Sequence, residues 1–459
     1  MTETSIQPIP RFDWKILRKS IRFRFVLQIA IFLITSVNKP SFVFSQSLDY
    51  ARSVIGELCS PRMYGRGYSL KGDSIAAAYI KEEFRRSGIL PPGNEYDQVF
   101  EISANVFPAE VTLHINHESL IPGKDFVISP SSPSLHGEFM ISRLSPHVLL
   151  SRKLLPEFLR KANDKAILID RKEFASLPDS VIKELDQFIH YLANERTSDP
   201  AAILIAGTGK LTWSAATYFD ERPVIYIDAL PKGRPKKSTI RIDQQFMQRY
   251  QTRNVIGMIP ARINTDSFLV VTAHYDHLGT MGLSTYFQGA NDNASGTALM
   301  LDLARELSVI RDSLNYSLIF IAFSGEESGL LGSQYFSEHP VVDLKKIRFL
   351  INLDLAGTGD EGITVVNATV FNTEFELLKK INEEKAYLPA IKSRGEACNS
   401  DHCFLYRKGV PCFYFYTLGG ISAYHDIYDR AETLPLTAYN NYFALVKQFI
   451  LRIGSNNGD

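Results

Sequence analysis

Neither sign of charge is in excess in this chain: Lys and Arg number 50, as do Asp and Glu, across 459 residues. Without a basic surplus there is no general attraction to nucleic acid or to an anionic membrane surface, so neither is expected as a partner. The one basic cluster, "PKGRPKKS" at 231–238, reads from its Pro and Gly as a solvated loop. Cysteine is scarce. The four residues Cys59, Cys398, Cys403 and Cys412 include no C-x-x-C pair, which argues against a structural zinc site built on thiolates. Three of them fall within fifteen residues of one another, close enough for one local bridge in an oxidising compartment, with the pairing left open. No internal repeat is visible. A content of 45% hydrophobic and 22% charged residues is that of a globular chain with room for two or three cores.

A long apolar run is also missing at the N-terminus. "FVLQIAIFLITSV" at 25–37 is uncharged for 13 residues, short of the roughly 20 that cross a bilayer as a helix. Arg11, Lys15, Arg18, Lys19, Arg22 and Arg24 precede it, and Val43 and Ser45 sit at the small-residue positions of a cleavage site before Gln46. This is the layout of a signal peptide over 1–45. Export to the periplasm or the extracellular space is expected, with no stable membrane span after cleavage; retention of 25–37 as an anchor is the alternative. Cleavage would remove seven basic and two acidic residues and leave the mature chain net negative.

Beyond the leader, "LDYARSVIGELCS" and "GDSIAAAYIKEEFRRSGI" carry helical periodicity, the second with Ile75, Ala78, Ile80 and Phe84 near one face. "LPPGN" then stops it. From about 106 to 242 the texture changes to short β-rich runs, "EVTLHI", "AILID", "AAILIA" and "PVIYID", around a helix near "SVIKELDQFIHYLAN". From 254 onward apolar runs alternate with helical patterns: "FLVVTA", "ASGTALMLDLAREL", "YSLIFIAF", "GLLGSQYFSEH", "RFLINL". Strands that are apolar on both faces and take turns with helices predict an α/β fold, with a mostly parallel central sheet flanked by helices, and 106–242 reads as a smaller inserted module, α+β or β-rich.

The chemistry collects at the strand ends. "FLVVTA" runs into His274 and Asp276; "YSLIFIAF" into Glu326 and Glu327; "RFLINL" into Asp354; "PCFYFYT" leads within eight residues to His425. "GANDNASG" at 289–296 adds Asp292 in a Gly-bracketed turn at a helix start, where Asn293 or Ser295 can cap. The carboxyl edge of an open α/β sheet is where ligands bind. Two histidines with several carboxylates suggest a metal site, and the carboxylates are too many for one tetrahedral zinc; two metals bridged by one carboxylate would use them.

"AHYDHLG", "GANDNASG", "FSGEESGLLGS", "NLDLAG" and "YHDIYD", in this order and at these separations, resemble the secreted co-catalytic di-zinc aminopeptidases of metallopeptidase family 28, whose superfamily includes glutamate carboxypeptidase and the transferrin receptor. The likeness is specific over about 250–440 and weaker over 58–80. With the signal peptide over 1–45 set apart by its own layout, it implies a catalytic domain over 46–105 and 243–459 and an inserted protease-associated-like domain over 106–242. It further implies that His274, Asp292 and Asp354 bind one zinc while Glu327 and His425 share Asp292 with the other. Asp276 would orient His274. Glu326 would be the general base that takes a proton from the attacking water and returns it to the leaving amine. Tyr424 would stabilise the oxyanion. His277 matches no ligand and is read as structural or solvent-facing. Asp401 and His402, in "NSDHC", are candidates for substrate contact or helix capping.

The activity implied is a metal-dependent exopeptidase acting on peptides, foremost an aminopeptidase; a carboxypeptidase or a glutaminyl cyclase on the same fold is the rival, as is a metal-free binding protein. Co²⁺ or Mn²⁺ can replace Zn²⁺ on such ligands. Oligomeric state is not legible.

Overall fold

Residue runs without a polar face become the interior of an eight-stranded sheet. The computed structural model describes residues 48–195, 199–262 and 266–455, so the expected signal peptide lies outside the described residues. In spatial order the strands are Asp97–Val106, Gln245–Ile259, Ser317–Phe323, Phe268–His274, Ile347–Asp354, Cys412–Leu418, Gly362–Val366 and Ile391–Ser393. The four from Ser317–Phe323 to Cys412–Leu418 run parallel. Antiparallel pairing appears only toward the margins. Every residue of Ser317–Phe323 is buried, which is why "SLIFIAF" shows no alternation.

Helices cover both faces. Leu48–Leu58, Gly72–Arg86, Gly296–Val309 and Tyr439–Ser455 contribute to the larger core cluster, with Phe349, Phe413 and Phe415 from the sheet. Leu331–Glu338 and His402–Arg407 close the other face through Phe336 and Leu405 against Val270, Ile319 and Ile321. The face expected for Gly72–Arg86 needs correction. Ile80 and Phe84 are buried together with Ala76 and Ala77, whereas Ile75 and Ala78 are exposed. At 3.6 residues per turn, 76, 80 and 84 form one stripe, and 75 and 78 fall on the opposite side.

A second eight-stranded sheet is built entirely from residues 111–242, in the order Glu118–Leu120, Val111–Ile115, Lys237–Ile242, Leu135–Leu144, Ala166–Asp170, Ala202–Ala206, Val224–Ile227, Phe126–Ile128. The helix Asp179–Asn194 packs Leu185, Ile189 and Leu192 on one face. The opposite face buries Phe107 and Trp213 with Leu278, Met281 and Phe287, which belong to the hairpin region after the strand Phe268–His274. That shared apolar cluster seats the second sheet beside the strand ends of the first, within one compact unit spanning Gln46–Asp459. Cys398 and Cys403 form a disulfide, while Cys59 and Cys412 are buried free thiols. Among the described residues no helix is long and apolar enough to cross a membrane.

Candidate metal centre

The parallel strands deliver their carboxyl ends to one edge, and the side chains expected there meet. His274 closes its strand, Asp354 closes the next, and Glu326 and Glu327 lie on the loop after Ser317–Phe323. Asp292 sits in the turn Ala290–Ser295 before the helix Gly296–Val309. His274 Nε2 stands 3.3 Å from Asp292 Oδ1 and 3.6 Å from Asp354 Oδ1. His425 Nε2 stands 3.1 Å from Asp292 Oδ2 and 3.2 Å from Glu327 Oε2. Asp292 thus turns one oxygen to each histidine. Glu326 Oε2 lies 4.0 Å from His274 Nε2.

These separations test the fit of a metal. Donors around a tetrahedral ion with bonds of about 2.0–2.1 Å stand about 3.3 Å apart, close to the spacings in both sets. Each of the two imidazoles has its other ring nitrogen on a main-chain carbonyl: His274 Nδ1 on Asp276 O at 3.2 Å and His425 Nδ1 on Trp213 O at 3.1 Å. Metal-bound histidines are held this way. Among the described residues no Lys or Arg pairs with Asp292, Glu326, Glu327 or Asp354, whose ion-pair partners are histidines only. Buried carboxylates need cations or protons. The residues fit a metal, and two overlapping donor groups, His274 with Asp292 and Asp354 and His277 with Asp292 and Glu327, share Asp292.

Electrostatics follow from the crowding. Burial, offset in part by His274, pushes Glu326 well above the usual carboxylate range. Burial and Asp292 also act to raise Glu327, but the neighbouring His277 and His425 outweigh them and hold it at about 2. Burial lowers His425, but Glu327 and Asp292 overcome it and raise the ring to about 11.

Other expected residues are placed differently. Asp276 is buried, yet its carboxylate Oδ1 is 3.7 Å from His274 Nδ1, farther than its own carbonyl. That carboxylate is held by Tyr68 OH at 2.9 Å and the Glu326 amide at 3.3 Å. Orientation of His274 is therefore shared between the backbone and the side chain of Asp276. Tyr424 is 47% exposed and stacks on His425 with centroids 4.0 Å apart, at the mouth of a cavity of about 470 Å³ that the whole set lines.

His277 is not solvent-facing. It is buried with Nδ1 2.6 Å from Glu327 Oε1, a hydrogen-bond distance. Asp401 and His402 are fully buried and do not line the cavity, and Asp401 makes no capping hydrogen bond. Neither substrate contact nor capping is what their positions offer; His402 Nε2 donates to Ala397 O at 2.8 Å and its ring stacks on Tyr414. Asn293 does cap, accepting from the Gly296 amide at 2.9 Å, while Ser295 bonds Asn291 O and the Ala356 amide.

Two positioning residues escaped sequence reasoning. Arg66 is fully buried and donates to the carbonyls of Tyr275 at 2.7 Å, Leu58 at 3.0 Å, Gln288 at 2.5 Å and Gly289 at 2.7 Å. Asp429 accepts the amides of Asn291 and Asp292 at 2.8 and 3.0 Å. The turn that carries Asp292 is gripped by its carbonyls from one side and its amides from the other. Gly289 makes the turn possible: its φ is +59°, and a Cβ there would meet Asp292 O at 2.2 Å and the His277 ring at 2.4 Å. The final Asp of "YHDIYD" was the one available signal; "GRGY" gave none. Trp213, from the second sheet's side, donates its amide to His425 O at 2.8 Å and accepts from His425 Nδ1.

A histidine and carboxylate set at the carboxyl edge of a parallel sheet, with one carboxylate facing two imidazoles, defines an α/β protein with a candidate metal site. Residues 254–450 match the profile of Peptidase family M28. Aminopeptidase YwaD of Bacillus subtilis (strain 168) is 38% identical over 128 residues, 28% of this chain and 26% of its own length. A probable leucine aminopeptidase of Trichophyton verrucosum (strain HKI 0517) is 33% identical over 180 residues, 37% of this chain and 47% of its own. The chain thus spans less than half the length of these two curated relatives. A solved zinc aminopeptidase from Bacillus subtilis superposes with a TM-score of 0.63 at 20% identity, covering 90% of this chain and 96% of that one. A peptidase M28 precursor from Shewanella amazonensis SB2B gives 0.60 at 14%, covering 90% and 98%. At such identities the likeness is one of fold.

Proposed function

We propose that this protein is a metal-dependent aminopeptidase that removes N-terminal residues from peptides using two zinc ions. The observation that carries the reading is Asp292, whose Oδ1 faces His274 at 3.3 Å and whose Oδ2 faces His425 at 3.1 Å. His274, Asp292 and Asp354 would hold one ion; Glu327, His425 and the shared Asp292 the other. When bound, the ions supply an acidified water and a Lewis acid for the peptide carbonyl.

The chain's own groups do the rest. Glu326 is the proton carrier, taking the proton of the attacking water and delivering it to the leaving amine. Its amide on Asp276 Oδ1 at 3.3 Å fixes the loop that presents it. Tyr424, exposed at the cavity mouth and stacked on His425, is placed to donate its hydroxyl to the oxyanion. Residues 106–242 act as an inserted protease-associated-like domain that restricts entry to short or flexible chains, a reading that rests on analogy and on the shared apolar cluster at Trp213.

The test compares peptides with free amino termini, the same peptides N-acetylated, C-terminally amidated versions, and an N-terminal glutaminyl peptide scored for ring closure. Release of free N-terminal residues that is lost on acetylation, abolished by a chelator and restored by zinc or cobalt is expected. Cleavage that survives acetylation but not amidation points to a carboxypeptidase, and cyclisation without hydrolysis to a cyclase. Two metals per chain are expected by elemental analysis.

The relatives are bacterial and fungal aminopeptidases, and export is the reading for residues 1–45. A mature N-terminus at or near Gln46, outside the cytoplasm, is expected by intact mass; a membrane-bound product retaining 1–45 favours an anchor instead.

A further inference from the structure

The cavity over the acidic cluster has a single permanent cation in its described wall. Among the residues lining it, Arg394 is the only Lys or Arg. It follows the edge strand Ile391–Ser393, and its backbone is held at both ends: its amide donates to Val365 O at 2.9 Å and its carbonyl accepts from the Ala368 amide at 3.1 Å. Its guanidinium Nη1 donates to Tyr416 OH at 3.3 Å. No carboxylate of the described residues lies within ion-pair reach of it.

The wall around Arg394 is set up to hold its position. Tyr416 and Tyr414, side by side on the strand Cys412–Leu418 with centroids 5.5 Å apart, line the same cavity. Asn399 and Cys398 continue the wall, and the Cys398–Cys403 disulfide ties this segment to the helix His402–Arg407. A guanidinium offers five N–H donors in a planar fork that matches a carboxylate. Here only one is used within the described structure, on a tyrosine oxygen. The opposite side of the cavity carries the Asp292, Glu326, Glu327 and Asp354 carboxylates, which leaves Arg394 as the lining side chain with free cationic donors for a substrate anion.

We propose that Arg394 binds a carboxylate of the substrate and biases the enzyme toward peptides that carry one near the cleaved bond. The inference rests on the exopeptidase reading above. The same chemistry has two sources: the side chain of an N-terminal Asp or Glu, or the terminal carboxylate of a dipeptide.

The experiment measures kcat/KM for glutamyl and leucyl chromogenic amides, and for Leu-Leu and Ala-Glu dipeptides with free and amidated carboxyl ends, on the metal-loaded wild type and on Arg394→Ala, Arg394→Lys and Arg394→Glu. A charge-assisted bidentate contact predicts that the preference for the carboxylate-bearing member of a pair falls by about 10- to 100-fold in Arg394→Ala, chiefly through KM. Arg394→Lys recovers part of it, and Arg394→Glu moves preference to lysyl amides. Loss confined to the glutamyl amide identifies the side chain as the source; loss confined to free dipeptides identifies the terminal carboxylate.

Calorimetric titration of glutamate and of leucine amide onto wild type and Arg394→Ala gives a second readout that needs no turnover, with weaker glutamate binding in the variant expected. Unchanged substrate ratios and unchanged glutamate binding overturn the role of Arg394 while hydrolysis persists. Absence of hydrolysis of every free-amino substrate overturns the aminopeptidase reading instead, and the titration then still decides whether Arg394 binds carboxylate.

Discussion

Glu326→Gln is expected to lower kcat by about 10²- to 10⁴-fold while leaving the metal content close to wild type. The amide keeps the size and shape of the side chain but does not accept a proton. Glu326 stands 4.0 Å from His274 Nε2, outside the tighter spacings that join His274 to Asp292 and Asp354, so it is not needed to complete a donor set. Asp292→Asn should invert the emphasis. One oxygen of Asp292 faces His274 and the other His425, and an amide nitrogen in place of either oxygen removes a donor and the negative charge the two sets share. Elemental analysis should then find fewer than two metals, with activity lost as a consequence. Loss of metal from the Glu326 variant, alongside two metals retained in the Asp292 variant, would sink the assignment of roles.

Arg66→Met should destabilise the fold by on the order of 4 kcal/mol or more, because each buried carbonyl left without a donor costs about 1–3 kcal/mol and four of them bond Arg66 at 3.0 Å or less. Against a typical stability of about 5–15 kcal/mol such a loss is large. The turn carrying Asp292 should loosen with it, since Gln288 O and Gly289 O lose their donor while Asp429 still holds the amides. Arg66→Lys keeps a charge and up to three donors and should recover part of the stability. Denaturant midpoints and metal retention against a chelator read the two consequences separately. An Arg66→Met protein within about 1 kcal/mol of wild type, a size common for ordinary substitutions, would show that the carbonyl cage is not what holds this turn.

The legible part of the site was its set of strand ends. An apolar run such as "YSLIFIAF" is a local pattern, and the residue that follows it is fixed by covalent sequence, so Glu326 and Glu327 had to lie at a strand exit wherever the strand packed. His277, read as structural or solvent-facing, was left undecided for the converse reason. It follows the same strand as His274, but whether its ring meets solvent or Glu327 depends on a loop 50 residues away. Asp401 and His402 stand in a polar stretch that offered substrate contact or helix capping, yet the helix they begin is pressed against Tyr414 and the sheet, which buries both. In Gly72–Arg86, periodicity marked a helix but left its facing to be set by the sheet beneath, which took Ala76 and Ala77 in place of Ile75 and Ala78.

The sequence by itself determined which chemistry this chain carries: the α/β alternation, and histidines and carboxylates at the ends of strands that a parallel arrangement must bring to one edge. Tertiary structure alone decided how those groups face one another. Arg66 reaches Gly289 across 223 positions, Asp429 reaches Asp292 across 137, and Trp213 meets His425 across 212. No local propensity encodes such pairs. They form only when the sheet closes and the second sheet's apolar face docks on the hairpin beside it, because a buried carbonyl, amide or imidazole must find a partner within hydrogen-bond distance once water is gone.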